Sequence, residues 1–261
     1  PQKRDPDGDG LISICHPCES RDRAPDFNFC DSSNLIWFFL SLWKLEFRYQ
    51  KLNWDMEKIW EKNLFNVEDL MFHCIWVDGL RSLYRLSRRQ DIKTLADSAE
   101  KAVYELCWDE ENKIFYNLDW QNRKIKRLTV ANLFPLILNN LPKEMHRSLV
   151  LHLTNPNEFW TPYPIPSVAR NDPAFDPNHG FYCNWRGPVW INMNWFIVRG
   201  LIKHGYRKIA KKIAEKTWQM VQREGFREFY NPFTGKGLRE PTRNFGWSAL
   251  VVTFPKILEE S

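Results

Sequence analysis

Apolar residues recur at helical spacing over most of the chain, in stretches separated by long loops rich in proline and aromatic residues. SSNLIWFFLSLWKLEFRYQKL, from Ser32, predicts a long apolar helix with Asp31 and Ser32 as caps. A short helix is expected over 55–63. A long one follows over 66–88, with Asn66 as its cap and Val67, Leu70, Met71 and Cys74 on one face. Asp91 opens another, which places Ile92, Leu95, Ala96, Ala99, Val103 and Leu106 together. CWDEENKIFYNLDWQNRKI then predicts a two-stranded excursion turning at 111–113. Shorter helices are expected over 129–138 and 143–153. Residues 155–185 form a long loop holding Pro156, Pro162, Pro164, Pro166, Pro173 and Pro177, and a loop of that length is usually functional. Segments 188–204 and 206–223 predict a helical hairpin joined at Gly205. A second loop spans 226–243, and a last helix starts near Asn244. Helix pairs joined by long loops imply an all-α toroid, with a bundle or a solenoid as the alternatives. The absence of a fixed-length repeat counts against the solenoid.

Composition changes this picture in one respect. The 261 residues carry 37 Lys+Arg against 32 Asp+Glu, a net charge of +5. That mild excess, spread along the chain, does not imply nucleic acid, whose binders cluster their basic residues. Mean hydropathy is −0.52, and no run approaches the roughly 18 apolar residues of a spanning helix, so no membrane is expected. Aromatic residues, however, make up 15% of the chain, with 13 Trp among them. An indole face packs well on the C–H face of a pyranose, so a sugar is a natural partner. A Trp-rich helical core is the plainer account of the same count. Among the six cysteines, Cys74 and Cys107 fall in helical apolar patterns and read as small buried hydrophobes. PQKRDPDGDG is not a signal peptide and lacks Met, which suggests a processed or cut product and a cytoplasmic setting.

Three constellations carry candidate chemistry. In the first, Asp5, Asp7, Asp9 and Gly10 match the opening of a calcium loop. The loop's closing position falls on His16 rather than a bidentate Glu, so a solvated Asp-Gly turn is the favoured reading. Cys15, His16, Cys18 and Cys30 lack the paired spacing of a zinc finger, and no metal is expected. Glu19, Asp22 and Asp26 lie beside Arg21 and Arg23 on a loop before an apolar helix. A carboxylic acid among aromatic groups can keep its proton at neutral pH, as a general acid must. The second constellation crowds Trp160, Tyr163, Trp185, Trp190 and Trp195 with Asn184, Arg186, Asn192 and Asn194, which supply platforms and donors for a polyhydroxylated ligand. Helix capping and core packing are the competing roles. The third is GFREFYNPFTGKGLREPTRNFGW, with carboxylates at Glu228 and Glu240 and tight turns at Asn231-Pro232 and Gly235-Lys236-Gly237. FTGKG is too short for a phosphate-binding P-loop and lacks the following Ser/Thr. Two carboxylates on separate loops are the minimum kit for glycosidic hydrolysis.

At these residues the chain resembles glycoside hydrolase family 63. HPCES-RDRAP is similar to that family's HP-W-ES-G-x-D-N-S-P. NWRGPVWINMNW is similar to Y-W-R-G-P-V-W-I-N-x-N-W, and EFYNPFTGKG…FGWSA to E-Y-x-x-P-x-T-G-x-G…F-x-W-S/T-A. DPDGDGLIS and FWTPYPIPSVARNDPAF also fit members that hydrolyse mannosylglycerate or glucosylglycerate. The motifs occur in the family's order and cover most of the chain. The resemblance implies an (α/α)6 barrel and an inverting mechanism without a cofactor. It puts Asp22 in the general-acid place and Glu228 in the general-base place. Trp185, Arg186 and Trp190 fall on the sugar-site motif, and Glu19, Tyr163, Asn192 and Trp247 complete the expected substrate-binding set. Three departures stand in the first motif. Cys18 replaces the family's Trp, the Gly after Glu-Ser is absent, and Arg23-Ala24 replace Asn-Ser. One missing residue can displace the acid by up to about 3.5 Å.

A twelve-helix barrel also needs more chain before Asp22. The expected organisation is therefore a single catalytic-type domain over 1–261, lacking the first part of the barrel, which an oligomer or a partner chain would complete. The expected function is an inverting α-glycoside hydrolase acting on a small glucoside or mannoside, with a catalytically inactive sugar-binding or scaffold protein as the alternative. A glycerate carboxylate would call for a basic partner among Arg21, Arg23 and Arg186.

Overall fold

The apolar periodicity resolves into a mostly helical chain whose strands are two-residue pieces. The structure is a computed structural model that describes residues 3–27, 29, 34–178, 185–238 and 244–259. Two units, Pro1–Arg127 and Leu128–Ser261, each hold a packed interior of their own. Among the described residues no helix is long and apolar enough to cross a membrane.

In the first unit, α1 (Leu35–Lys51) is capped by Asn34, whose Oδ1 accepts from the backbone N–H of Ile36 and Trp37. The predicted caps Asp31 and Ser32 lie outside the described residues. Asp55 caps α2 (Met56–Lys62) as the 55–63 pattern anticipates. The long helix predicted from Asn66 begins later, as α3 (Leu70–Ser87), and its cap is Asp69. The reason is that Val67–Glu68 is extended and serves as the central strand, β2, of a small antiparallel sheet between β1 (Ser13–Ile14) and a strand at Leu118–Asp119. Two strand residues leave no periodic trace, so they read as the first turn of the helix.

Next, α4 (Gln90–Ala102) packs along α3 and runs into one π-helical turn over Val103–Cys107, which keeps Val103 on the buried face. The expected hairpin follows as β3 (Trp108–Asp109) and β4 (Ile114–Phe115). The strand at Leu118–Asp119 is β5. Cys74 and Cys107 are buried and free, as their pattern predicts. Cys30 and Cys183 lie outside the described residues. Two side chains tie the N-terminal segment to these helices. His73 on α3 accepts from the N–H of Ile12 through Nδ1 and donates through Nε2 to Ala99 O, and burial lowers its pKa to about 4. On α1, Tyr49 donates its hydroxyl to Cys15 O at 2.6 Å.

The second unit opens with a 3-10 helix, Val130–Ile137, closed at its start by a Thr129–Asn132 capping box. It continues with α5 (Lys143–Thr154) and the hairpin of α6 (Ile191–Lys203) and α7 (Arg207–Glu224), which turns at Gly205 with φ +83°. The stretch 226–243, expected as a loop, contains a two-residue hairpin of β6 (Phe229–Tyr230) and β7 (Gly237–Leu238). The terminal helix expected near Asn244 is a 3-10 segment, Gly246–Thr253, that passes into α8 (Phe254–Glu259).

Helix α6 lies directly against the 3-10 helix at Gly200. A Cβ there would sit 2.5 Å from Leu136 O and 2.7 Å from Leu136 C. Backbone atoms cannot swing aside as a side-chain tip can, so the two elements would have to separate. Gly200→Ala is therefore expected to destabilise the chain by about 1–3 kcal/mol despite alanine's better helix propensity. Denaturant unfolding measures this, and an unchanged midpoint would show that the two helices part without cost.

Candidate active site

In the first unit the candidate residues lie on the loop from Ser13 to Phe27. A single 3-10 turn, Pro17–Glu19, begins at His16, whose side chain accepts from the Cys18 N–H. Glu19 is engaged internally. Its Oε2 accepts from the Arg4 guanidinium at 2.6 Å and from Cys15 N at 3.3 Å, and its Oε1 from the Cys15 thiol. Arg21 has 1% exposure. Its guanidinium donates to both carboxylate oxygens of Asp26, at 3.0 and 2.7 Å, and lies 3.6 Å from Asp69. The remaining bonds knit three segments together. Asn117 donates to Asp26 Oδ2 and accepts from Leu70 N, while Asp69 Oδ1 caps α3. With its guanidinium thus held, Arg21 is removed from the expected partners of a substrate carboxylate.

Asp22 follows Arg21 and stands at the surface. Loss of hydration nonetheless raises its pKa, opposed by a hydrogen bond with the Cys18 thiol and by nearby His16. The thiol itself is pushed up to about 12 by loss of hydration and by the Asp22 charge, so it remains a neutral hydrogen-bond donor. Arg23 then takes φ +63°, the left-handed region that asparagine enters more readily than arginine. Its guanidinium lies over the Phe38 ring at 5.5 Å from the centroid, within the reach of about 6 Å for such a contact.

In the second unit the candidate residues lie where three loop segments meet. Val189 exchanges backbone hydrogen bonds with Tyr230, at 2.8 and 3.0 Å, which draws the Trp185–Trp190 segment beside β6. Glu228 immediately precedes β6 and is buried. Its backbone is held on both sides. The Tyr230 hydroxyl donates to Gly225 O and accepts from Arg227 N, and Ser248 Oγ donates to Arg227 O. Asn231 shapes the following turn by accepting from the N–H groups of Phe233 and Thr234. Gly235, φ +66°, closes that turn against the Tyr163 ring, where a Cβ would meet ring carbons at 2.9 Å.

The expected binding residues fall into two groups. Trp185 and Trp190 stack face to face, with centroids 4.0 Å apart and planes within 2°, at 4% and 3% exposure. Each therefore gives one face to the other. Trp190 also touches Phe229 and Trp247. Trp247 is 48% exposed, which leaves much of its indole open to a ligand. Arg186 is buried next to the stack, and Asn192 is half-buried on α6. Tyr163 spans the two loops. Its N–H donates to Pro232 O, its hydroxyl accepts from Arg223, and its ring faces Lys216.

Asn194 is corrected from candidate sugar donor to internal clamp, because it is buried and bonds Ile165 N, Pro164 O and Thr217. Trp195 donates to Thr253 and lies under Arg199, away from the stack's contacts. Asn184 and Glu240, the competing carboxylate, lie outside the described residues. The reading from residues alone passes over Phe229 and Phe245, which border the tryptophans. The aromatic content of the third motif was the signal for them.

Carboxylates set on loops among tryptophans, in a mostly helical chain, have the makings of a carbohydrate-active domain. Comparison with known proteins gives that class a family. The model of the mannosylglycerate hydrolase MGH1-like glycoside hydrolase domain matches residues 1–248. Mannosylglycerate hydrolase of Thermus thermophilus is 30% identical over 96% of this chain and 66% of its own length. Glucosylglycerate hydrolase of Mycolicibacterium hassiacum is 26% identical over 81% of this chain and 48% of its own. The crystal structure of the Thermus thermophilus family 63 mannosylglycerate hydrolase in complex with glucose superposes with a TM-score of 0.86 at 30% identity, over 98% of this chain and 64% of that one. The chain belongs to glycoside hydrolase family 63. It spans less than two thirds of the length of these relatives.

The stack and its open neighbour should separate on substitution. Trp190→Ala removes a buried ring that four others touch and should cost roughly 3–5 kcal/mol of stability. Trp247→Ala should cost about 1 kcal/mol or less while weakening the quenching of tryptophan fluorescence by bound sugar. Comparable stability losses in both variants would place Trp247 in the core.

Proposed function

We propose that this chain carries the catalytic carboxylates of an inverting α-glycoside hydrolase for small glucosides or mannosides, with glucosylglycerate and mannosylglycerate as the model substrates. The observation that carries the proposal is the state of Asp22. It occupies the family's acid position, and loss of hydration raises its pKa, which favours the protonated form that a general acid must present. Glu228, at the base position, is buried beside the tryptophan stack with its backbone fixed on both sides. The names of the relatives support a glycerate aglycone.

In this scheme Glu228 takes a proton from a water molecule as the water oxygen bonds to the anomeric carbon. The bond from that carbon to the glycerate oxygen breaks with its electron pair on oxygen, and Asp22 delivers its proton there. The products are a sugar of inverted anomeric configuration and free glycerate. Proton exchange with solvent restores both carboxyl groups, and no cofactor enters. Inversion requires the two carboxyl groups to stand roughly 6.5–9.5 Å apart with the water between them. Arg186 takes over as the proposed basic partner for the glycerate carboxylate. The remaining helices of an (α/α)6 barrel are proposed to come from further chain, in the same polypeptide or a partner.

A second reading, an inactive sugar-binding protein of the same fold, is favoured by Cys18 in place of a tryptophan and by Arg23 after the acid. Sugar release separates the two. Glucosylglycerate and mannosylglycerate should be hydrolysed by the unsubstituted protein. Glu228→Gln should lower the rate by roughly 10²–10⁴ with an unchanged melting temperature. Binding without release in the unsubstituted protein would establish the second reading. Full activity in Glu228→Gln would move the base elsewhere.

A further inference from the structure

Apart from the residues placed in the hydrolysis scheme, the first unit holds a cleft of about 430 Å³, a size in the range of small-molecule sites. Its lining is partly aromatic. Phe65, 6% exposed, meets Phe27 and Phe29 edge to face, with centroids 6.2 and 5.3 Å apart. Trp120 lines the cleft too, and it is 54% exposed. The turn that carries Trp120 is fixed at both ends. Asp119 Oδ1 accepts from the N–H groups of Gln121 and Arg123, and Asp119 N donates to Arg123 O. The Arg123 guanidinium pairs with Asp119 Oδ2 at 2.7 Å. An open indole on a rigid turn binds a flat apolar face with little loss of its own freedom.

The polar lining is short of donors. Asn63 and Asn66 bring side-chain carbonyl oxygens that are screened from solvent, and neither oxygen accepts a hydrogen bond among the described residues. Leaving a screened acceptor unmade costs about 1–3 kcal/mol, so a ligand that donates to it is favoured. Arg123 is the one cation among the described lining residues, and its charge is matched by Asp119. The lining therefore suits neutral donors better than an anion. Hydroxyl groups are such donors, and the C–H face of a pyranose fits the indole.

We propose that this cleft is a second carbohydrate site, which takes a neutral pyranoside against Trp120 with hydroxyl groups donating to Asn63 and Asn66. The cleft adjoins the loop that carries Asp22, because Phe27 follows Asp26 and its ring centroid lies 5.0 Å from the Arg21 guanidinium. Binding there does not depend on hydrolysis.

The test uses the whole chain labelled with 5-fluorotryptophan and followed by fluorine NMR. The signal that disappears in Trp120→Phe belongs to Trp120. Methyl α-mannoside or methyl α-glucoside should move that signal saturably, with a Kd of about 10 mM or tighter. Sodium phosphate should leave it in place. Asn66→Ala should weaken the Kd about three- to tenfold, the loss of one hydrogen bond. The first titration uses the unsubstituted chain, so it decides even if Asn66→Ala fails to fold. A Trp120 signal that stays in place up to about 50 mM of both glycosides, or that moves equally with phosphate, would overturn the proposal. So would an unchanged Kd in a folded Asn66→Ala protein. Saturable movement in a chain that releases no sugar would uphold this cleft while the hydrolysis failed, and movement of other tryptophan signals alone would do the reverse.

Discussion

The buried guanidinium of Arg21 is the interaction on which the candidate acid depends. An arginine without solvent must be paired, and breaking such a pair costs about 3–5 kcal/mol. Asp26 meets it with two oxygens, Asp69 adds a second negative charge, and Asn117 completes the set. These residues come from the acid loop, the start of α3 and the turn after β4. The cluster therefore fixes where the loop meets the helices, and Asp22 is the residue immediately after the fixed point. The first motif is one residue shorter than that of the family it resembles, and Arg21 anchors it immediately before Asp22.

The helices were legible because their periodicity is strong. Segments 55–63, 143–153 and 206–223 appear within a few residues of their expected bounds. The errors share a physical cause. Val67–Glu68 and Phe229–Tyr230 are strands of two residues, too short for an alternation, and their pairing partners are distant in sequence or on the far side of a turn. Asn34 displaced the expected caps because only the geometry shows which side-chain oxygen reaches the free N–H groups. Motif spacing picked out the candidate residues, but not the contacts each of them makes. Nothing in the residue order shows that Trp185 and Trp190 stack on each other or that Asn194 clamps a loop.

These contacts suit the sugar site proposed for them. The stacked pair and Phe229 form a rigid backing beside Glu228, while Trp247 presents an open ring. Rigid backing lowers the entropy lost when a ligand binds, because the groups around Glu228 are already ordered. Cys18 is the point where this family 63 chain departs most in chemistry. A thiol gives up the area of an indole, yet it supplies a hydrogen bond to Asp22 that an indole at that position would have to make through its N–H.

The central claim is hydrolysis with inversion, and the most direct test is the configuration of the sugar at the moment of release. Proton NMR of α-glucosylglycerate or α-mannosylglycerate mixed with the protein resolves the anomeric signals before mutarotation. The account predicts that the β-anomer appears first. First release of the α-anomer, or no release of sugar at all, would contradict it.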